Sequence, residues 1–172
     1  MTSGSRISKK SIRLIIAAAV VLAAAAAFAL WRFGVIETAQ LNSHSLMDWR
    51  LGGSIDSVHG AQDAMVYDET HYEWFSDDDG EGISSKGTDT RYYLGERFGS
   101  YRVLGFSSSE DYYSVLGIRV GDDELDAKTK LLNSGYSMLG GGFNSCRAHR
   151  GCVTVELNFE HGVVTNIAAY IK

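Results

Sequence analysis

The sequence predicts an α+β chain: an N-terminal transmembrane helix followed by two tandem α-β-β-β units, with helices packed on antiparallel sheet. Three observations lead there. Leu14–Trp31 is an eighteen-residue run without a charge, and basic residues precede it. A short motif recurs 69 residues apart, each time at the start of a helix pattern. Val153, Val155, Leu157 and Phe159 alternate with Thr154, Glu156, Asn158 and Glu160, the period-two signature of a half-buried strand. The 172 residues are 45% hydrophobic and 22% charged, which is globular composition. There is no proline, so the 19 glycines must make the turns.

The N-terminal element is read from charge as well as hydropathy. Residues 1–36 hold Arg6, Lys9, Lys10, Arg13 and Arg32 and no acid, whereas residues 37–172 carry 11 basic and 21 acidic side chains. At about 1.5 Å per residue the uncharged run spans about 27 Å, the reach of a helix across a thin hydrocarbon core. The Lys/Arg excess before it places residues 1–13 in the cytoplasm as a basic tail. Residues 14–31 are then a signal-anchor helix in the cell membrane, and the C-terminal part lies outside. The competing reading is a cleaved signal peptide, since Ala25-Ala26-Ala27 and Ala27-Phe28-Ala29 both satisfy the A-x-A rule. The acidic body has no electrostatic footprint for phosphate, which excludes nucleic acid as a partner.

Residues 32–47 form a polar linker, and two units follow, 48–107 and 108–172. Trp49-Arg50-Leu51-Gly52-Gly53-Ser54 corresponds to Ile118-Arg119-Val120-Gly121-Asp122-Asp123, and Ser54 and Asp123 are both good N-caps. The second helix is expected over Asp123–Asn133, with Leu125, Ala127, Leu131 and Leu132 toward a core and Gly135 as its stop. Gly60 weakens the first helix. Expected strands are Met65–Phe75, Thr90–Leu94 and Tyr101–Phe106 in the first unit. The second unit has Tyr136–Phe143, then the hairpin Cys152–Phe159 and Val163–Ile171.

These residues resemble a known family. Gly52-Gly53-Ser54 with Val58 is similar to the G-x-[ST]-x3-V helix start of the SmpA/OmlA (BamE-like) domain. Gly121 with Ala127 and Leu131 repeats the spacing, and Phe159…Gly162-Val163-Val164…Ile167 resembles its closing hairpin. Tandem copies of such a unit are also the plan of the bacterial β-lactamase inhibitory proteins. The resemblance spans about residues 48–171. It implies architecture and class: a small, exported, non-enzymatic module that works by protein contact. It assigns no site residue.

Given an exported, oxidising setting, Cys146 and Cys152 are expected to form a disulfide closing Arg147-Ala148-His149-Arg150-Gly151, worth about 2 kcal/mol. The alternative is a metal knuckle on Cys146, His149 and Cys152, which lacks a fourth ligand. Arg147, His149 and Arg150 form the candidate binding loop, basic on an acidic body. Residues 63–81 hold eight acids and no base. A calcium loop there would put Phe75 and Lys86 where carboxylates are required, so Asp77-Asp78-Asp79-Gly80 reads as a solvated hairpin turn. The tyrosines and other aromatics of the first half read as core, with two or three left outside on a recognition face. The five scattered histidines form no ligand pair, and G-x-S-x-G and S-x-x-K are absent. Neither an enzyme nor a cofactor or metal is expected. Two classes remain: a membrane-anchored module binding an envelope or surface protein, and an inhibitor-like module that plugs a secreted enzyme with the Arg147–Arg150 loop.

Overall fold

The computed structural model of the chain describes residues 9–32, 34–53, 72–78, 80–97 and 99–172. In chain order its elements are α1 (Lys9–Arg32), α2 (Val35–Ser43), β1 (Tyr72–Asp77), β2 (Gly80–Ser85), β3 (Arg91–Arg97) and β4 (Ser100–Ser108). Then come α3 (Glu124–Asn133), β5 (Ser137–Gly140), β6 (Ser145–Arg150), β7 (Val153–Glu160) and β8 (Val163–Ile171). The helix expected to start at Ser54, and residues 65–71 of the first expected strand, lie outside the described residues. Residues 32–47, read as a linker, contain α2.

All eight strands belong to one antiparallel sheet of order β1-β2-β3-β4-β8-β7-β6-β5. This corrects the expectation of tandem α-β-β-β units. Each half of the chain contributes a four-stranded meander, and the two join where β4 pairs with β8, Gly105 opposite Tyr170 and Phe106 opposite Ala169. The join removes two sheet edges that separate small sheets would expose. Two strands escape sequence reading. β2 offers only Ile83 as a large apolar residue among Gly, Glu and Ser, and β6 is the stretch read as a closed loop.

The core lies on one face of this sheet. A single cross-strand row runs through Ile83, Tyr92, Phe106, Ala169, Val155 and Ala148, all buried. The row ends at Trp74 on β1 and Met138 on β5, which are 52% and 37% exposed. Leu41 of α2, the 44–53 segment and Val115 and Ile118 close over the row's centre. Trp49 stacks 4.6 Å from Tyr92, and Tyr92 lies 5.3 Å from Phe106. Residues 52 and 53 also exchange backbone hydrogen bonds with Val103, covering β4 where β8 does not reach it.

α3 begins as its sequence dictates. The Asp123 carboxylate accepts from the Leu125 and Asp126 amides, and Gly135 takes φ 79° just past the end. Ala127 and Leu131 are fully buried, whereas Leu125 and Leu132, expected in the core, are 72% and 55% exposed. The buried stripe is narrower than expected: α3 lies over the second half of the sheet, meeting β5, β8 and, through Lys128, the Phe159 ring of β7, and only Ala127 and Leu131 are buried.

Two further expectations are corrected. Among the described residues no helix is long and apolar enough to cross a membrane. The single-pass signal-anchor, and the cell-membrane placement built on it, are therefore not upheld. The reason lies in composition: nine of the eighteen residues of Leu14–Trp31 are alanine, each adding one methyl-sized group worth about 0.8 kcal/mol on transfer. Cys146 and Cys152 are not disulfide-bonded. Cys146 sits at the far end of β6, opposite Leu157, while Cys152 lies in the turn that follows Arg150. Four steps along extended strand carry Arg150, at the end where Cys152 lies, about 13 Å from Cys146, whereas a disulfide needs Cα atoms within about 7 Å.

Candidate functional site

The face of the sheet opposite the core carries a second cross-strand row. It reads Phe75, Gly82, Tyr93, Gly105, Tyr170, Thr154, His149 and Ser137 from β1 to β5. α2 and α3 bury Leu41, Ala127 and Leu131 on the core side, and α1 contacts α2, so no described helix packs on this second face. Its aromatic side chains are half-buried in the sheet itself. Phe75 and Tyr93 meet edge to face at 5.6 Å, and Tyr93 and Tyr170 at 5.7 Å.

Glycines make this geometry. A Cβ on Gly105 would sit 2.7 Å from the Tyr170 ring and 3.1 Å from the Tyr93 ring. A Cβ on Gly82 would fall 2.0 Å from the Tyr92 carbonyl oxygen and 3.0 Å from the Phe75 ring. The rings therefore lie over bare backbone, which covers strand glycines that would otherwise weaken the sheet. Arg91 stands 5.1 Å over the Phe75 ring and pairs with Asp77 at 2.9 Å, in reach of a cation–π contact.

The structure separates the residues expected to form a binding loop. Arg147, His149 and Arg150 belong to strand β6. Arg147 is exposed on the aromatic face and paired with Glu156 of β7. His149 lies on the same face, and its Nδ1 is buried with no hydrogen-bond partner among the described residues. Arg150 points to the other side, where its Nη1 donates to the Ser134 carbonyl at 2.7 Å behind α3. Strand alternation also disposes of the metal knuckle: Cys146 and His149 lie on opposite faces of β6. Among the described residues no group of three His, Cys, Asp or Glu side chains converges to hold a metal. Burial pushes the Cys146 thiol above its ordinary value.

A tyrosine cluster lies on the core side. The Asp48 carboxylate accepts from Tyr113 at 2.5 Å and from Tyr72 at 3.3 Å, and the Asp48 amide donates to the Tyr92 hydroxyl at 3.0 Å. Burial first, then Asp48, pushes Tyr72 up to about 12, and both raise Tyr92 and Tyr113 as well. These hydroxyls are held protonated and engaged with one another, which makes the cluster a brace between the 44–53 segment and β3. A cavity of about 410 Å³ opens beside Gly140-Gly141-Gly142, floored by Cys146 and walled by Arg147 and Glu156. Since that Arg and Glu neutralise each other, the cavity offers no uncompensated charge to a ligand.

Sequence reasoning placed Tyr93 among the aromatics of the first half but missed Tyr170, which comes from the other half of the chain. The available signal was Gly105 inside the expected strand Tyr101–Phe106, because an interior strand glycine marks close approach. No protein-family model, no curated protein and no solved structure matches this chain.

Proposed function

We propose that the chain is a non-catalytic protein-binding module that docks a partner protein on the sheet face opposite its core. The carrying observation is the row Phe75–Tyr93–Tyr170 laid over Gly82 and Gly105. A solvated face of an antiparallel sheet ordinarily alternates polar residues outward. Three adjacent rings, preset by glycines and losing little side-chain freedom on contact, instead have the character of an interface centre. Arg91 with Asp77 and Arg147 with Glu156 flank the rings as a polar rim.

The sheet's edges favour contact through the face. β1 carries Glu73 and Asp77, and β5 is four residues long with a register shift between Met138 and Gly140. Both devices discourage strand addition. The fitting partner presents a flat apolar patch bordered by hydrogen-bonding groups. The resemblance to the SmpA/OmlA domain supports the same class of activity.

The test is site-specific photo-crosslinking in the native host, with a benzophenone residue at Tyr93 and, as control, at Asn133 on α3. A discrete crosslinked protein is expected from position 93 alone. Once purified, that partner is expected to bind the Tyr170→Ala variant at least tenfold more weakly, a loss of about 1.4 kcal/mol or more. Equal crosslinking from both positions, or unchanged affinity in the variant, would overturn the reading.

A further inference from the structure

The turn between β5 and β6 presents an apolar knob. Phe143 is fully exposed there, and Leu139 on β5 is 54% exposed. The cavity of about 410 Å³ opens against the same turn, with Gly140, Gly141, Gly142, Cys146 and Asn158 in its lining. We propose that Phe143 inserts into this cavity of a second copy of the chain, and reciprocally, to form a reversible two-fold dimer.

Presentation of the ring is the first support. The Gly142 amide donates to Ser145 Oγ at 2.9 Å, and the Phe159 amide of β7 donates to the Asn144 carbonyl at 2.8 Å. The residues on either side of Phe143 are thus pinned. Gly140 takes φ 104°, and a Cβ on Gly141 would fall 1.9 Å from the Ser145 carbonyl oxygen, so the turn requires glycine at both. Its backbone holds the ring in solvent rather than in the cavity beside it. An aromatic side chain on a braced turn gives up little freedom on docking.

The receptor is the second support. The charged residues of the cavity wall, Arg147 and Glu156, pair with each other, so the hole suits an uncharged insert. The Arg147 guanidinium is placed to lie over an incoming ring, and the Cys146 sulfur in the floor is a favourable neighbour for its edge. Position commits the occupant to a second copy. A knob that fits a hole far away on the same molecule links copies head to tail without closing. Here knob and hole adjoin on one turn, so a single two-fold axis beside it satisfies both contacts and assembly stops at two. Size sets the strength. Each ring buries about 150–250 Å², and with the matching walls the interface comes to about 1,000 Å², the low end for specific contacts. The dimer therefore forms and parts with concentration.

The experiment is sedimentation of the full chain from about 10 μM to about 1 mM, as wild type and as variants at exposed positions. Phe143→Ser removes the knob, and Asn158→Trp fills the hole from the exposed side of β7. Heat capacity scans check that both stay folded. A monomer–dimer equilibrium is expected for wild type, weakened about tenfold or more by either substitution. An equimolar mixture of the two variants restores one of the two contacts, the ring of Asn158→Trp entering the intact hole of Phe143→Ser. That mixture is expected to associate more tightly than either variant alone. Tyr170→Ala, which tests the aromatic row, is expected to leave the dimer unchanged. The proposal fails if wild type stays monomeric throughout, or if association survives both substitutions, as contact through the exposed apolar side chains of α1 would. It also fails if the mixture is no tighter than its components, or if Tyr170→Ala weakens the dimer as much as Phe143→Ser.

Discussion

Gly105 sits at the seam between the two halves of the chain, and its missing side chain decides how Tyr93 and Tyr170 meet. Any Cβ there would press on both rings, so the aromatic row depends on a residue that contributes no contact of its own. The cysteines show the reverse case, residues with chemistry that the backbone keeps apart. Cys146 faces the core opposite Leu157, and Cys152 packs its sulfur on Gly34 at the α1–α2 junction. Denatured protein prepared without reductant is expected to release two titratable thiols per chain. In the native state Cys146 is expected to label far more slowly than when unfolded, because burial both hides it and disfavours the thiolate. A count of zero thiols would restore the disulfide.

Elements with strong local grammar were legible in the sequence. Asp123 announced α3, Gly135 ended it, and the alternation Val153–Phe159 fixed β7 together with the turn into β8. β2 and β6 were not, since a Gly-Glu-Gly stretch and a Cys-Arg-Ala-His-Arg stretch have no period that distinguishes a central strand from a loop. They become strands because their neighbours supply the pairing, a tertiary effect that overrides local propensity. The buried face of α3 was half legible. Its stripe narrows to Ala127 and Leu131, the two positions of the helix that are buried. Leu131→Ala is therefore expected to cost about 2–5 kcal/mol in urea unfolding, and Leu132→Ala no more than about 0.5 kcal/mol. Equal losses at the two positions would contradict the placement of the helix.

At the scale of the molecule, the central claim is that the two meanders are one sheet. The seam matters for function as well as stability: it brings Tyr170 of the second half beside Tyr93 of the first, and it continues the core row from Phe106 to Ala169. Little of this was legible, because a repeat with helix starts at matching positions says that two halves are alike and nothing about which strands pair between them. The candidate face was legible only as an excess of aromatics. The most direct measurement is a set of cross-strand nuclear Overhauser effects in the isotope-labelled chain. A continuous backbone ladder is expected between Gly105–Ser108 and Ile167–Tyr170, with Phe106 facing Ala169. Contacts of β4 confined to β3, with those of β8 confined to β7, would show two separate sheets and contradict it.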